Sequence, residues 1–161
     1  MLINPANGTT AGATSKALEQ AARVIGLELL FFRASTSPEI DAAFAAIARE
    51  RVDALFIAPD AYFAARAAQL GTLAMRDQIP ASAFSRENVE VGMLMSYGTS
   101  IADVFRQVGI YTGSILNGTK PAELPVLQST KFEFIINLQT AHSLGIDIPP
   151  TLLARADEVI E

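Results

Sequence analysis

The chain has 161 residues, 50% of them hydrophobic and 18% charged, with a net charge of −5. That length and balance predict a single globular domain with a sizeable core, and they rule out a disordered chain. Cysteine is absent, which excludes disulfides and thiolate metal sites and leaves the compartment open; no basic cluster marks nucleic acid as a partner, and no apolar run approaches the roughly 20 residues that span a bilayer.

Leu2-Ile3 reads as a buried strand, Asn4 to Gly8 as a polar turn, and the residues from Thr9 or Thr10 as the opening of a helix. Through Ile25 that helix carries Ala17, Leu18, Ala21, Val24 and Ile25 at the spacing of one inward face, and Gly26 suits the left-handed position that ends it. The run Leu27–Phe32 predicts a second strand. Ser37-Pro38-Glu39 predicts a capped helix start, with Ile40, Phe44 and Ile47 as its inner face. Residues 54–58, almost continuously apolar, predict a central strand covered on both sides. It stops at Pro59-Asp60, before a helix over Tyr62–Met75.

Pro80–Phe84 and Met93–Tyr97 predict the fourth and fifth strands, joined by a loop over Ser85–Asn88. The longest helix is expected over Thr99–Asn117, with Ile101, Val104, Phe105, Val108, Ile115 and Leu116 as its apolar stripe. After Gly118 the pattern changes. An extended connection over 120–128, a strand over Phe132–Ile136, a short helix over Leu138–Leu144, a turn of helix at Pro149-Pro150 and a last strand near Ala156–Ile160 complete the reading.

Strands alternating with helices of a dozen residues imply an α/β fold: a three-layer parallel sheet with helices on both faces and right-handed crossovers, of flavodoxin- or Rossmann-like topology. Its strand-end loops are then expected along one edge, where open α/β folds bind small molecules. They are residues 4–10, 34–37, 59–62, 85–88 and 97–99. A helix start in the first loop also favours an anionic group.

Each polar feature of that edge has two readings. Residues 7–12 resemble a phosphate loop, but the second glycine of that motif falls on Ala13 and is followed by Thr14, and a dinucleotide fingerprint fails as well. What stays open is a plain helix start or a cradle for a carboxylate. Asp60 stands where a phospho-receiver domain would place its acceptor, yet Asn4-Pro5 and Tyr97-Gly98 occupy the positions of that domain's acidic pair and lysine. Asp60 is therefore a helix N-cap, or a cap that also meets a ligand. Arg86-Glu87 is a solvated ion pair, or a clamp for the two charged ends of a zwitterion. Tyr97 is a core-edge aromatic or a ligand-stacking residue, and His142, the lone histidine, is surface or packing. No nucleophile triad, metal-ligand spacing or close acid pair emerges, so nothing argues for an enzyme or a cofactor.

The segments LMSYGTSIADVFRQVGIYTGSILNG (94–118) and KFEFIINLQTAHSLGIDIPPTLLARADEVIE (131–161), with INPAN, FIAPD, IPASAFSREN and NGTKPAELPV in order and spacing, resemble ABC-transporter substrate-binding proteins of the tryptophan or aromatic amino-acid type. The resemblance implies a periplasmic-binding-protein-like fold of two lobes that close on a solute. It places this chain as the second lobe over 1–98, a crossover helix and linker over 99–125 that packs on a first lobe, and a return strand and tail over 126–161. It implies a small organic solute such as an amino acid, an ABC permease as partner, periplasmic location and no reaction. The opening MLINPANG has no export signal, so as written the chain is expected to be cytosolic or a piece of a longer exported protein.

Carried over by position, the solute-binding residues are Asn4, Asn7, Thr9, Thr10, Asp60, Ala61, Ser85, Arg86, Tyr97 and Gly98. Without a first lobe, the stripe of the helix 99–117 is expected to fold back on the domain or to be buried against a second copy, giving a homo-oligomer. Two other classes fit an α/β chain: a ligand-sensing domain of a regulator or receptor, and a small nucleotide-binding enzyme domain.

Overall fold

A computed structural model describes residues 1–161, apart from Ser129 and the side chains of Thr9 and Thr10. The chain forms β1 (Leu2–Ile3), α1 (Gly8–Ile25), β2 (Phe32–Arg33), α2 (Ser37–Glu50), β3 (Leu55–Phe56), α3 (Ala61–Ala64), α4 (Ala67–Arg76), β4 (Ala81–Ala83), α5 (Arg86–Glu90) and β5 (Met95–Thr99). Then follow α6 (Ile101–Leu116), a 3-10 turn (Pro121–Glu123), β6 (Phe132–Asn137), α7 (Leu138–Ser143), α8 (Pro150–Leu153) and β7 (Glu158–Ile160).

The strands β3-β4-β5-β6-β7 make a five-stranded sheet, and the β1-β2 pair joins it through a parallel bridge from Leu2 to Ile57. The pairings from β2 through β1, β3 and β4 to β5 are parallel. One face packs on α2 to α4, with Ile40, Phe44, Ile47, Phe63 and Leu70 fully buried against Leu2, Leu55 and Ile57. The other face holds Met1, Ile3 and Ala58 against Ala11 and Leu18 of α1. Both faces of the central strands are thus covered, as their unbroken apolar runs require.

The predicted α/β class and three layers are observed, but the sheet is mixed rather than all parallel. The strand β6 runs antiparallel to β5, with Tyr97 opposite Phe134 and Thr99 opposite Phe132. Its direction follows from the path of the chain. The backbone leaves the sheet at Ser100, travels along α6 and the linker, and returns beside its exit point, where Ser100 N–H donates to the Lys131 carbonyl at 2.9 Å.

Local differences have local causes. Thr36, not Ser37, caps α2, accepting from Glu39 N–H, while the Ser37 hydroxyl is drawn to Gln69 of α4. The helix expected over 62–75 is two helices, α3 fixed by its Asp60 cap and α4 by the close approach of Gly71 to the Val91 carbonyl. Only the last residue of the apolar run 27–32 joins a strand, because the run extends past the start of β1. In α1 Ala11 and Leu18 pack on the sheet; Val24 is 86% exposed, and Ala21, Ala22 and Ile25 border an open cavity of about 470 Å³.

α6 buries none of its residues, and Phe105 is 71% exposed. The fold-back expected of its stripe is not what the structure shows. α6 touches the linker instead: the Tyr111 hydroxyl donates to the Pro125 carbonyl, and a cavity of about 390 Å³ lies among Val104, Val108, Tyr111 and Leu127.

Candidate functional site

The strand register decides whether the predicted loops share an edge. Leu2 bridges Ile57, and the ladders Phe56–Ser82 and Ala83–Ser96 carry that level across β4 to β5. Two residues further along each strand, Asn4, Pro59, Ser85 and Gly98 come to one rim. Backbone contact supports this at the far end, where the Phe84 carbonyl crosses directly over Gly98. Gly98 therefore has a packing reason to be glycine, since β4 and β5 approach too closely for a side chain.

The centre of the rim is Asp60. One carboxylate oxygen accepts from Asn4 Nδ2 at 3.0 Å and from the backbone N–H of Tyr62 and Phe63 at 2.9 and 3.4 Å. The other accepts from Asn7 Nδ2 at 3.1 Å. Asp60 is thus the N-cap of α3 and also the tie between the first and third strand-end loops. Partial burial works against its charge, but the donors from Asn4, Asn7, Tyr62 and Phe63 prevail and hold its pKa below the usual carboxylate value. The Asn4 side chain, buried at 8% exposure, also accepts from Ala6 N–H and from the Ser35 hydroxyl at 3.0 and 2.9 Å. Ser35, in the second strand-end loop, is a member of the cluster that the sequence analysis did not single out; its place in the predicted 34–37 loop was the available signal.

Asn7 precedes α1 as its N-cap, yet its side chain makes no bond to the helix, having gone to Asp60. With no acidic residue in the first turn either, no described side chain meets the positive end of this 18-residue helix where it opens on the rim. The predicted contacts from the side chains of Thr9 and Thr10 lie outside the described residues. Ala61 is the exposed first residue of α3, and the Ser85 hydroxyl donates to Asn88 Oδ1 at 2.9 Å.

Of the two readings of Arg86, its surroundings fit the ion pair, but with partners other than Glu87. Its guanidinium forms a two-point bond with Glu158 of β7, at 2.9 and 2.7 Å, and also meets Glu90 one helical turn on. Glu158 and Glu90 raise its pKa further, and Arg86 in turn lowers that of Glu158. The correction is physical: both edges of the fork are already filled by carboxylates, so Arg86 ties α5 to the C-terminal strand. Glu87 takes no part in an ion pair among the described residues. Tyr97 is 63% exposed and stacks on Phe132 at 5.8 Å and 11°, with Phe134 edge-on at 6.4 Å. Those two phenylalanines come from β6, whose pairing partner the sequence did not reveal.

Among the described residues no group of His, Asp and Glu is arranged to hold a metal ion, and no helix is long and apolar enough to cross a membrane. The rim is polar, built from side-chain amides and hydroxyls, one carboxylate and an aromatic stack. The family model for ABC transporter substrate binding proteins matches residues 1–160. The chain belongs to this family.

Solved structures agree with the family assignment. A conserved domain protein from Vibrio cholerae is 28% identical with a TM-score of 0.86, over 98% of this chain and 53% of its own. An ABC domain from Streptococcus pneumoniae, in complex with L-Trp, is 26% identical with a TM-score of 0.81, over 92% of this chain and 51% of its own. In fold alone, the chain is also similar to a ligand-free, open substrate binding protein with adhesive properties from Clostridium difficile, at 21% identity and a TM-score of 0.70, over 99% of this chain and 52% of that one. No curated protein matches the chain. The chain spans about half the length of the solved structures it matches.

Proposed function

We propose that this chain supplies one wall of the solute cleft of an ABC importer's binding protein, outside the cytoplasmic membrane, and that it carries out no reaction. The observation that carries this reading is the gathering of the strand-end loops on one rim around Asp60. Residues 1–98 form the lobe, 99–125 the crossover that packs on a second lobe, and 126–161 the returning strand and tail. Two facts support that division: α6 buries none of its residues, and similar structures are about twice as long.

The solute is a small organic molecule, and an amino acid fits the rim. Its carboxylate faces the first turn of α1, which the N-cap Asn7 leaves without a side-chain bond, and a planar side chain meets the exposed ring of Tyr97. The similar Streptococcus pneumoniae domain holds L-Trp, which makes L-tryptophan the probe of choice. Solute favours the closed arrangement of the two lobes, and the closed form is presented to the permease. Differential scanning fluorimetry with the twenty amino acids tests the reading: an aromatic amino acid is expected to raise Tm in a concentration-dependent way. A response to nucleotides instead would contradict it.

A further inference from the structure

Three loops that lie far apart in sequence meet through two side chains, Asp60 and Asn4. Asp60, after β3, holds Asn4 and Asn7, after β1, at 3.0 and 3.1 Å, and Asn4 holds the Ser35 hydroxyl, after β2, at 2.9 Å. Asn4 has little left for a ligand. Its carbonyl oxygen accepts from both Ala6 N–H and Ser35, one N–H goes to Asp60, and the side chain is buried. The Asp60 oxygen that faces Asn4 takes three donors, more than the two lone pairs of a carboxylate oxygen ordinarily accommodate. The other oxygen holds Asn7 and draws its amide away from the start of α1. Acceptance by an ionised group makes these bonds stronger than bonds between neutral partners.

We infer that Asp60 and Asn4 are positioning residues of the solute site: they lock the first three strand-end loops to one another and act on the solute through Asn7 and the loop backbone, without touching it. This rests on the solute-binding reading above. It differs from the alternative in which Asp60 pairs with the solute's ammonium group. The two differ in what a deaminated solute feels. A positioning carboxylate matters equally to solutes with and without an amine, whereas a contacting carboxylate matters only to the amine.

The test compares the full chain with Asp60→Asn, a substitution that keeps the shape and an acceptor for α3 but turns one acceptor edge into a donor facing the asparagines. Two measurements are made. Hydrogen exchange is followed over residues 4–8, 35–37 and 61–64, and affinity is measured for L-tryptophan and for indole-3-propionate. We expect the three loops to lose protection together while β3 and β4 keep theirs. Both probes should weaken by the same factor, on the order of tenfold, the loss of one or two such bonds. Adding Asn7→Asp to Asp60→Asn restores an amide–carboxylate pair between the first and third loops, and it should recover part of the lost exchange protection. Weakening confined to L-tryptophan overturns the inference in favour of direct contact. Unchanged exchange in all three loops overturns it as well, since nothing would then be held. A wild-type chain that binds neither probe counts against the solute reading, and the exchange measurement by itself then decides whether Asp60 holds the loops.

Discussion

At Gly98 an added Cβ would lie 1.9 Å from the Phe84 carbonyl oxygen. Backbone cannot yield there without parting β4 from β5, so Gly98→Ala is expected to cost about 1–3 kcal/mol as an overpacking substitution. Chemical denaturation measures this; a midpoint unchanged from wild type would show that the strands separate freely. Asp60 makes a second prediction at this scale, through pH. Its pKa is lowered in the folded state, so its contribution is complete above the ordinary carboxylate pKa and fades as pH falls through the lower folded value. Stability of the wild type relative to Asp60→Asn should be constant from pH 7 to about 5 and should shrink only in the acid range. A difference that grows on acidification would reverse the sign and contradict the hydrogen-bond account. The reach of these contacts explains what the sequence hid. A polar residue after a buried strand marks Asn4 and Asp60 as rim residues, but no spacing shows that residues 56 apart are bonded. Nor does it show that Arg86 is claimed by Glu158, 72 residues away.

Among the elements, α1 and α6 separate what periodicity can show from what it cannot. Apolar spacing identifies which side chains line up on a helix; it does not say what stands opposite them. In α1 the aligned set included Val24 and Ile25, yet the helix meets the sheet through Ala11 and Leu18. In α6 the described chain meets the expected stripe only through the linker and leaves none of its residues buried. A stripe of this kind is unstable in water. The chain by itself should therefore self-associate as concentration rises in analytical ultracentrifugation, and Phe105→Asp with Val108→Asp should keep it monomeric with an unchanged circular dichroism spectrum. Sedimentation of the wild type as a monomer at every concentration would contradict this. The antiparallel entry of β6 was similarly hidden, because direction is set by the path through α6 and the linker rather than by residues 132–137 themselves.

For the molecule as a whole, alternation of strand and helix was enough to read three layers and a shared loop edge, since parallel strands with right-handed crossovers leave few other arrangements. The chain belongs to the ABC transporter substrate binding protein family, and the rim around Asp60 is the solute site we propose for it. An open cavity of about 470 Å³ lies at the other end of the sheet, bordered by Leu27, Arg51 and Leu55, and it offers a clear contrast. Titration of the ¹⁵N-labelled chain with L-tryptophan, followed by amide chemical shifts, distinguishes the two ends even when binding is weak. Shifts are expected to gather at residues 4–8, 35–36, 60–63, 84–86 and 97–98; shifts gathered instead at residues 25–30 and 50–55 would place the solute at the wrong end of the sheet and overturn the proposed site.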